Sequence, residues 1–409
     1  MKKNNPNIPS GYKPSPLGII PEDWEVKSIK DVSTIKGRIG YRGYTTDDIV
    51  NDGDGAISLS PSNIVDGKLQ FNSVTRITWE KYYESPEIML CNGDIVMVKT
   101  GSSFGKVAFV DNLPQEATIN PQFVIINNIK CDNKWLCYLF DSDCIQKNVH
   151  KIVVGGAIPT MSQEEIANFR IAVPPLPEQQ RIVSVLSLWD TAIAKQTALI
   201  EQLTLRKRGL MQQLLTGKKR LKGFEGEWKE VRVGDIAQIT MGQSPDSRFY
   251  NERGEGLPLI QGNADIKDRK SIQRIWTSSV TKACECNDII MSVRAPVGEI
   301  AIATQKSCIG RGVCSITSTN VDAEYLFQLL LLLEDSWGNI EQGGTFTSIN
   351  SQEIQKKKVF IPKQSEQIAI ATILTLADKE IEIQKQKLAA LQEQKKGLMQ
   401  VLLTGKRRI

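Results

Sequence analysis

"RKRGLMQQLLTGKKRL" at residues 206–221 returns as "QKKGLMQVLLTGKRRI" at residues 394–409, 188 positions further on. At that offset residues 155–221 lie over 343–409 without a gap. "GGAIPTMSQEEI" falls on "GGTFTSINSQEI", and "VPPLPEQQRIVSVL" falls on "IPKQSEQIAIATIL". Upstream the likeness persists while the offset drifts. "CNGDIVMVKTGSSFGKVAFV" (91–110) resembles "CECNDIIMSVRAPVGEIAIA" (284–303), and "DWEVKSIKDVSTIKG" (23–37) resembles "EWKEVRVGDIAQITMG" (227–242). The 409-residue chain therefore reads as one unit of about 200 residues used twice, too few copies for a solenoid, and an internal pseudo-twofold repeat is expected.

Each repeat ends in a long helix. Pro174, Pro175 and Pro177 set the first start and Gly217 its stop. Its apolar seam runs Ile182, Leu186, Trp189, Ile193, Gln196, Ile200, Leu203, Lys207, Leu210, Leu214, in steps of four and three. The second seam repeats those steps at Ile370, Leu374, Ala377, Ile381, Gln384, Leu388, Leu391, Lys395, Leu398 and Leu402. A strict seven-residue repeat keeps one stripe facing a partner helix. At 1.5 Å per residue such a helix spans roughly 57 Å. Two seams in one chain pair most simply with each other, antiparallel. The bland alternative packs each helix on its own globule. Gln196, Gln384, Lys207 and Lys395 interrupt the seams, either fixing register or marking docking sites for other subunits.

Ahead of each helix lie short β-rich runs ("GDIVMVKT", "GKVAFV", "QFVIIN"; "NDIIMSV", "EIAIAT", "GVCSIT") broken by Gly, Asn, Asp and Pro. "KWLCYLFDSDCIQKNV" and "AEYLFQLLLLLEDSWGNI" have helical apolar spacing. Ser162 with Glu165, and Asn350 with Glu353, stand at capping-box spacing. The expected fold is mixed α/β (α+β). A globular domain at 18–170 is followed by a long helix at 174–217, and a second globular domain at 223–360 by a second helix at 362–409. The two globular domains are separated by a two-helix antiparallel coiled coil.

Hydrophobic content of 41%, charged content of 24% and a net charge of +5 suit a soluble chain and permit, without demanding, a nucleic-acid partner. The polar, Pro-rich start is no signal peptide. The apolar run "YLFQLLLLL" (325–333) is too short to cross a bilayer and reads as a buried helix. Eight cysteines without a C-x-x-C pair, and a single histidine, His150, speak against a metal site and for reduced thiols in the cytoplasm. "GSSFGK" (101–106) falls short of a phosphate loop: three residues separate its glycines where four are needed, and Val107 follows the lysine. "NPQF" (120–123) lacks the second proline of an adenine methyltransferase loop, and the other repeat reads "GRGV". No nucleophile–base pair or acidic nuclease cluster stands out. A doubled chain without catalytic residues reads as a recogniser or scaffold.

"PPLPEQQRIV" leading a long helix to "KRGLMQQLLTGKKRL", and repeated at the C-terminus, closely resembles the specificity subunit of type I restriction–modification enzymes. "GDIVMVKTGSSFGKVAF" and "GGAIPTMSQEEIANFRIAVPP" are similar to landmarks of its target-recognition domains. The likeness covers almost the whole chain in the family's order; "IPKQSEQ" (361–367) departs from the family's proline-rich form. The resemblance implies a subunit without catalysis that binds no cofactor. Each recognition domain would read one half of a bipartite double-stranded DNA target, and the paired helices would set the spacer. Two modification subunits would methylate adenine N6 with S-adenosylmethionine, and two restriction subunits would cut using ATP and Mg2+. No membrane is involved. Half-site centres on one face of the duplex would lie roughly 34 Å apart.

Base edges are read by Arg, Lys, Asn, Gln, Ser and Thr on groove-entering loops. Candidates in the first repeat are Arg38, Tyr41, Arg42, Tyr44, Lys99, Ser102, Ser103 and Lys106. In the second they are Gln243, Ser244, Arg248, Tyr250, Gln261, Asn263, Arg294 and Arg311. The basic helix ends (Lys218, Lys219, Arg220; Lys406, Arg407, Arg408) are expected on phosphate or a partner subunit, although surface charge explains them nearly as well. The alternatives are a coiled-coil scaffold whose globules bind proteins or glycans, and the recognition part of a fused methyltransferase–nuclease. The second helix running to Ile409 leads us to expect an untruncated unit.

Overall fold

The computed structural model describes residues 8–51, 53–152, 159–337 and 348–409, without the side chains of Tyr41 and Ile152. The first residues of the aligned segments that begin at Gly155 and Gly343 lie outside them. The chain forms two compact units, Met1–Lys195 with Leu388–Ile409, and Gln196–Lys387. Two 39-residue helices, Leu176–Leu214 and Gln364–Leu402, contribute a segment to each unit.

In the first unit a four-stranded antiparallel sheet runs in the order Val107–Phe109, Ile95–Val98, Phe123–Asn127, Thr34–Lys36. A three-stranded sheet places Ala56–Leu59 between Ala117–Ile119, parallel to it, and Thr75–Ile77. The strands read as unbroken apolar runs because both faces are buried. Ile95, Met97, Val124 and Ile126 enter one core with Trp24, Trp135, Phe140, Ile182, Leu186 and Leu402. Val96, Val98, Phe123 and Ile125 point the other way, into a second core with Ile57, Leu59 and Ile119. Alternation along a strand thus feeds two cores instead of a core and solvent.

The second unit repeats the plan. Its six-stranded sheet runs Ala237–Met241, Val313–Ser318, Ile289–Ser292, Ile300–Ile302, Lys270–Ser271, Ile266–Lys267. Its five-stranded sheet contains the parallel pairing of Leu259–Ile260 with Cys308–Ile309. Ile289 and Met291 enter the core that holds Met211, Leu214, Ile370 and Leu374, while Ile290 enters the smaller one. The run 325–333 lies in helix Ala323–Trp337, which buries Tyr325, Leu326, Gln328, Leu329, Leu330 and Trp337.

Both capping boxes form, Ser162 with Glu165 and Asn350 with Glu353. The apolar stretch 134–149 is not one helix. It breaks at Ser142, whose extended backbone and hydroxyl end helix Asn133–Asp141 and open helix Asp143–Ile152. Side-chain spacing carries no mark of such a break, since the apolar phase continues across it.

Every seam position of both helices is buried or half-buried. In the second unit Lys207 pairs with Asp378 at 2.6 Å, Arg206 with Glu380, and Gln196 Nε2 donates to Gln384 Oε1 at 2.8 Å. In the first, Lys395 pairs with Asp190 at 2.6 Å and Arg408 with Glu178 at 2.7 Å. Within each unit partner numbers fall on one helix as they rise on the other, so the paired segments run antiparallel.

The helix ends add a contact that the sequence does not show. Arg220 makes two 2.7 Å bonds to Glu366, and Arg408 makes bonds of 3.1 and 2.7 Å to Glu178. Both acceptors are buried in the first turn of the opposite helix. These arginines are therefore held in part by the protein itself, while Lys218, Lys219, Lys406 and Arg407 are exposed. The turns that bring them there need glycine. Gly217 and Gly405 both have φ +70°, and a Cβ on Gly405 would stand 2.5 Å from Pro21 Cδ.

All eight cysteines are free. Burial pushes the Cys284 thiol up to about 11 and the Cys314 thiol up to about 12, from an ordinary 9.0. Iodoacetamide at pH 8 should modify the exposed Cys91 and Cys286 while Cys284, Cys308 and Cys314 resist until denaturant is added. Because the folded thiols ionise later than unfolded ones, the second unit should keep its stability below about pH 9 and lose it as pH rises towards 11. Urea melts at pH 8 and 10.5 check this; an unchanged midpoint would contradict it.

Candidate nucleic-acid interface

In the second unit four loops converge at the strand ends. The chain leaves strand Ala237–Met241 through Gly242, where a Cβ would lie 2.2 Å from Gly310 O. Only glycine passes there. Gln243 N then donates to Ile309 O at 2.9 Å, and Arg311 N donates to Ser244 Oγ at 3.1 Å. Arg311 sits between Gly310 and Gly312, and a Cβ on Gly312 would strike Gln261 O at 2.0 Å. Gln261 Nε2 donates to Tyr250 Oη at 2.9 Å. Five candidates from separate parts of the sequence, Gln243, Ser244, Tyr250, Gln261 and Arg311, thus form one surface with the Arg311 side chain exposed on it. Arg294 adjoins them through Val293 N, which donates to Gly312 O at 2.9 Å. Two further candidates make contacts of their own, Arg248 with its side chain still 73% exposed. Arg248 lies over the Phe249 ring at 4.8 Å and 3.2 Å from Asp246. Asn263 donates to Glu299.

The first unit builds the equivalent surface differently. Lys99 N donates to Gln122 O at 2.7 Å, the counterpart of the Val293–Gly312 bond, and Asn120 N donates to Leu59 O as Gly310 N does to Ile260 O. Asn120, Pro121 and Gln122 therefore occupy the place of Gly310, Arg311 and Gly312. Gln122 is exposed, and its Oε1 accepts from Asn120 Nδ2 at 3.1 Å. Gln122 is a surface position that the sequence reading passes over, because "NPQF" is weighed only as a catalytic loop; Asn120 is buried beneath it. The alignment of "NPQF" with "GRGV" was the available signal. Lys99, Ser102, Ser103 and Lys106 lie on the adjoining hairpin loop, with Ser102 and Lys106 exposed.

The "GRIGYRGY" loop is different in kind. Arg38 is buried, donating to Ile119 O at 3.1 Å and Thr118 Oγ1 at 3.3 Å, with its guanidinium 5.5 Å from the Tyr44 ring centre. Burial holds that guanidinium below its ordinary pKa, and Tyr44 is the first of the groups that partly offset it. Tyr44 Oη accepts from Ser58, and Arg42 donates to Glu84 O and lies near Glu87. Arg38 is thus committed to the domain interior. The Tyr41 side chain lies outside the described residues. Among the described residues no group of His, Cys, Asp and Glu could hold a metal ion, and no helix is long and apolar enough to cross a membrane.

Set beside known proteins, residues 21–205 and 225–393 match the family described as type I restriction modification DNA specificity domain. A Methanocaldococcus jannaschii protein named for the MjaX type I restriction enzyme specificity subunit is 30% identical over 97% of this chain and 97% of its own length. Among solved structures, a chain from work on complex assembly and conformational transition of the type I R-M system has TM-score 0.63 at 24% identity, covering 95% of this chain and 99% of that one. The type I restriction–modification S subunit from M. genitalium has TM-score 0.55 at 16% identity, covering 98% of each chain. At these identities the structural likeness speaks for the fold.

Proposed function

The chain belongs to the type I restriction–modification DNA specificity family, and from that premise we propose that each unit reads one half of a bipartite DNA target through its converged strand-end loops. One observation carries the reading: at one and the same place in a shared framework, the first unit presents Asn120, Pro121 and Gln122 and the second Gly310, Arg311 and Gly312. Frames that agree while their reading groups differ suit two unlike half-sites. Arginine and amide side chains are the groups that discriminate base edges.

In this reading the two long helices pair as one antiparallel coiled coil about a pseudo-twofold axis and set the spacer between the halves. The Gln196–Gln384 bond supports it. These residues are each other's counterparts in the repeat, and elements related by a twofold axis meet their own counterparts on that axis. Lys207–Asp378 in the second unit and Lys395–Asp190 in the first are counterpart pairs of the repeat. The helices also offer the docking surface for two modification subunits. Methyl transfer to adenine N6 and ATP-dependent cleavage would then belong to those and to two restriction subunits, which would hold S-adenosylmethionine, ATP and Mg2+, in the cytoplasm.

Exchanging residues 23–160 for another recognition domain tests the division of labour. In the assembled complex only one half of the methylated target should change, as read by methylome sequencing. A change in both halves, or in neither, sinks the reading. Binding of the assembled complex to its target duplex should also weaken steeply with salt.

A further inference from the structure

One amide on the second unit's loop surface has its orientation imposed by the protein. Pro245 O can only accept, so Tyr250 Oη, 3.1 Å away, gives it its single hydrogen. The phenol oxygen is then left with lone pairs alone. Its neighbour at 2.9 Å on Gln261 must be the amide nitrogen, because a flipped amide would set acceptor against acceptor. The backbone beneath is pinned too. Gln261 N donates to Asp265 Oδ2 at 2.8 Å, and the missing Cβ of Gly312 makes room for Gln261 O. Gln261 Oε1 has no hydrogen-bond partner among the described residues, and the side chain is half-exposed beside Arg311.

We propose that Gln261 is a specificity-determining residue that reads an adenine, and that Tyr250 is a positioning residue that never touches DNA. Oε1 would accept from adenine N6, and the Nε2 hydrogen not used by Tyr250 would serve N7. This donor–acceptor pair fits adenine and mismatches guanine, whose O6 would face Oε1. The assignment rests on the proposed reading of this surface as the second half-site reader.

The test uses the full chain assembled with its modification subunits, selecting from duplexes randomised across the second half-site. The wild type should enrich adenine at one position. Gln261→Leu should lower that preference about 10–100-fold, the discrimination of a bidentate pair. Tyr250→Phe should lower it less, about 3–10-fold, the net worth of one hydrogen bond, at the same position and with overall affinity held. Adenine preference kept in both variants, or preference lost at a position that selects another base, overturns the assignment. Should Tyr250→Phe lose every position through unfolding, Gln261→Leu decides: one position lost supports the assignment, all lost or none lost overturns it. If the wild type itself selects nothing in this half, the recognition reading falls and this assignment with it. Selection elsewhere in the half, with the variants unchanged, removes the assignment alone.

Discussion

Asp378→Ala should destabilise the second unit by about 1–3 kcal/mol, below the roughly 3–5 kcal/mol of breaking a fully buried pair because the Asp378 side chain is 41% exposed. The Lys207 side chain is 12% exposed, and its ammonium lies 2.6 Å from Asp378. Without the carboxylate it stays in an apolar seam with no counter-charge. Gln328 loses as well. Its Nε2 donates to Asp378 at 2.8 Å, and its Oε1 is already buried without a partner. The cost lies in the orphaned lysine, so Asp378→Ala combined with Lys207→Met should recover all but about 1 kcal/mol, an apolar pair being a fair substitute for a buried ion pair. Hydrogen exchange over residues 196–214 and 364–387 under increasing urea reports both. If the double variant were as unstable as the single one, the lysine would not be the source. The counterpart pair, Asp190 with Lys395, adds the Tyr138 hydroxyl as a second donor to the carboxylate.

Glu178→Ala should lower the stability of the first unit by about 2–3 kcal/mol, assembled from two losses. Trp24, fully buried, donates from Nε1 to Glu178 Oε2 at 3.0 Å. Leaving that donor unmet costs about 1–3 kcal/mol. The Arg408 ion pair adds less, because its side chain is 42% exposed and keeps Asp23 at 2.7 Å. Glu178→Gln, which retains an acceptor for Trp24, should therefore recover more than half of the loss. Thermal melts of the three proteins decide it. Equal destabilisation by Ala and Gln would put the weight on the ion pair instead.

The rods were the most legible part of the molecule, because a seven-residue repeat over 39-residue helices leaves its period in the letters. The strands were legible as apolar runs, yet nothing in "GDIVMVKT" shows that Val96 and Met97 serve different cores. The role of Arg408 was hidden, since Glu178 lies 230 residues away and a glutamate in a first helical turn reads as solvated. Arg38 misled for a related reason: its type suggests DNA, and only the fold supplies the carbonyl of Ile119. The convergence of Ser244, Gln261 and Arg311 depends on three glycines whose sequence gives no hint of what they approach.

Each globule is joined to the long helices by a small polar latch. Asp132 N donates to Gln179 Oε1 at 2.7 Å and Asp322 N to Gln367 Oε1 at 3.0 Å, and each glutamine is held by a proline carbonyl, Pro174 or Pro362. On the globule side the latch requires only a main-chain amide at the cap of a helix. The two latches are thus chemically alike, and a head becomes portable where the core contacts that it makes with Ile182 and Leu186, or with Ile370 and Leu374, are kept. A chimera seating one head in both mounts, cut so that the capping aspartate travels with it, would be expected to seek an inverted-repeat address in place of an asymmetric one.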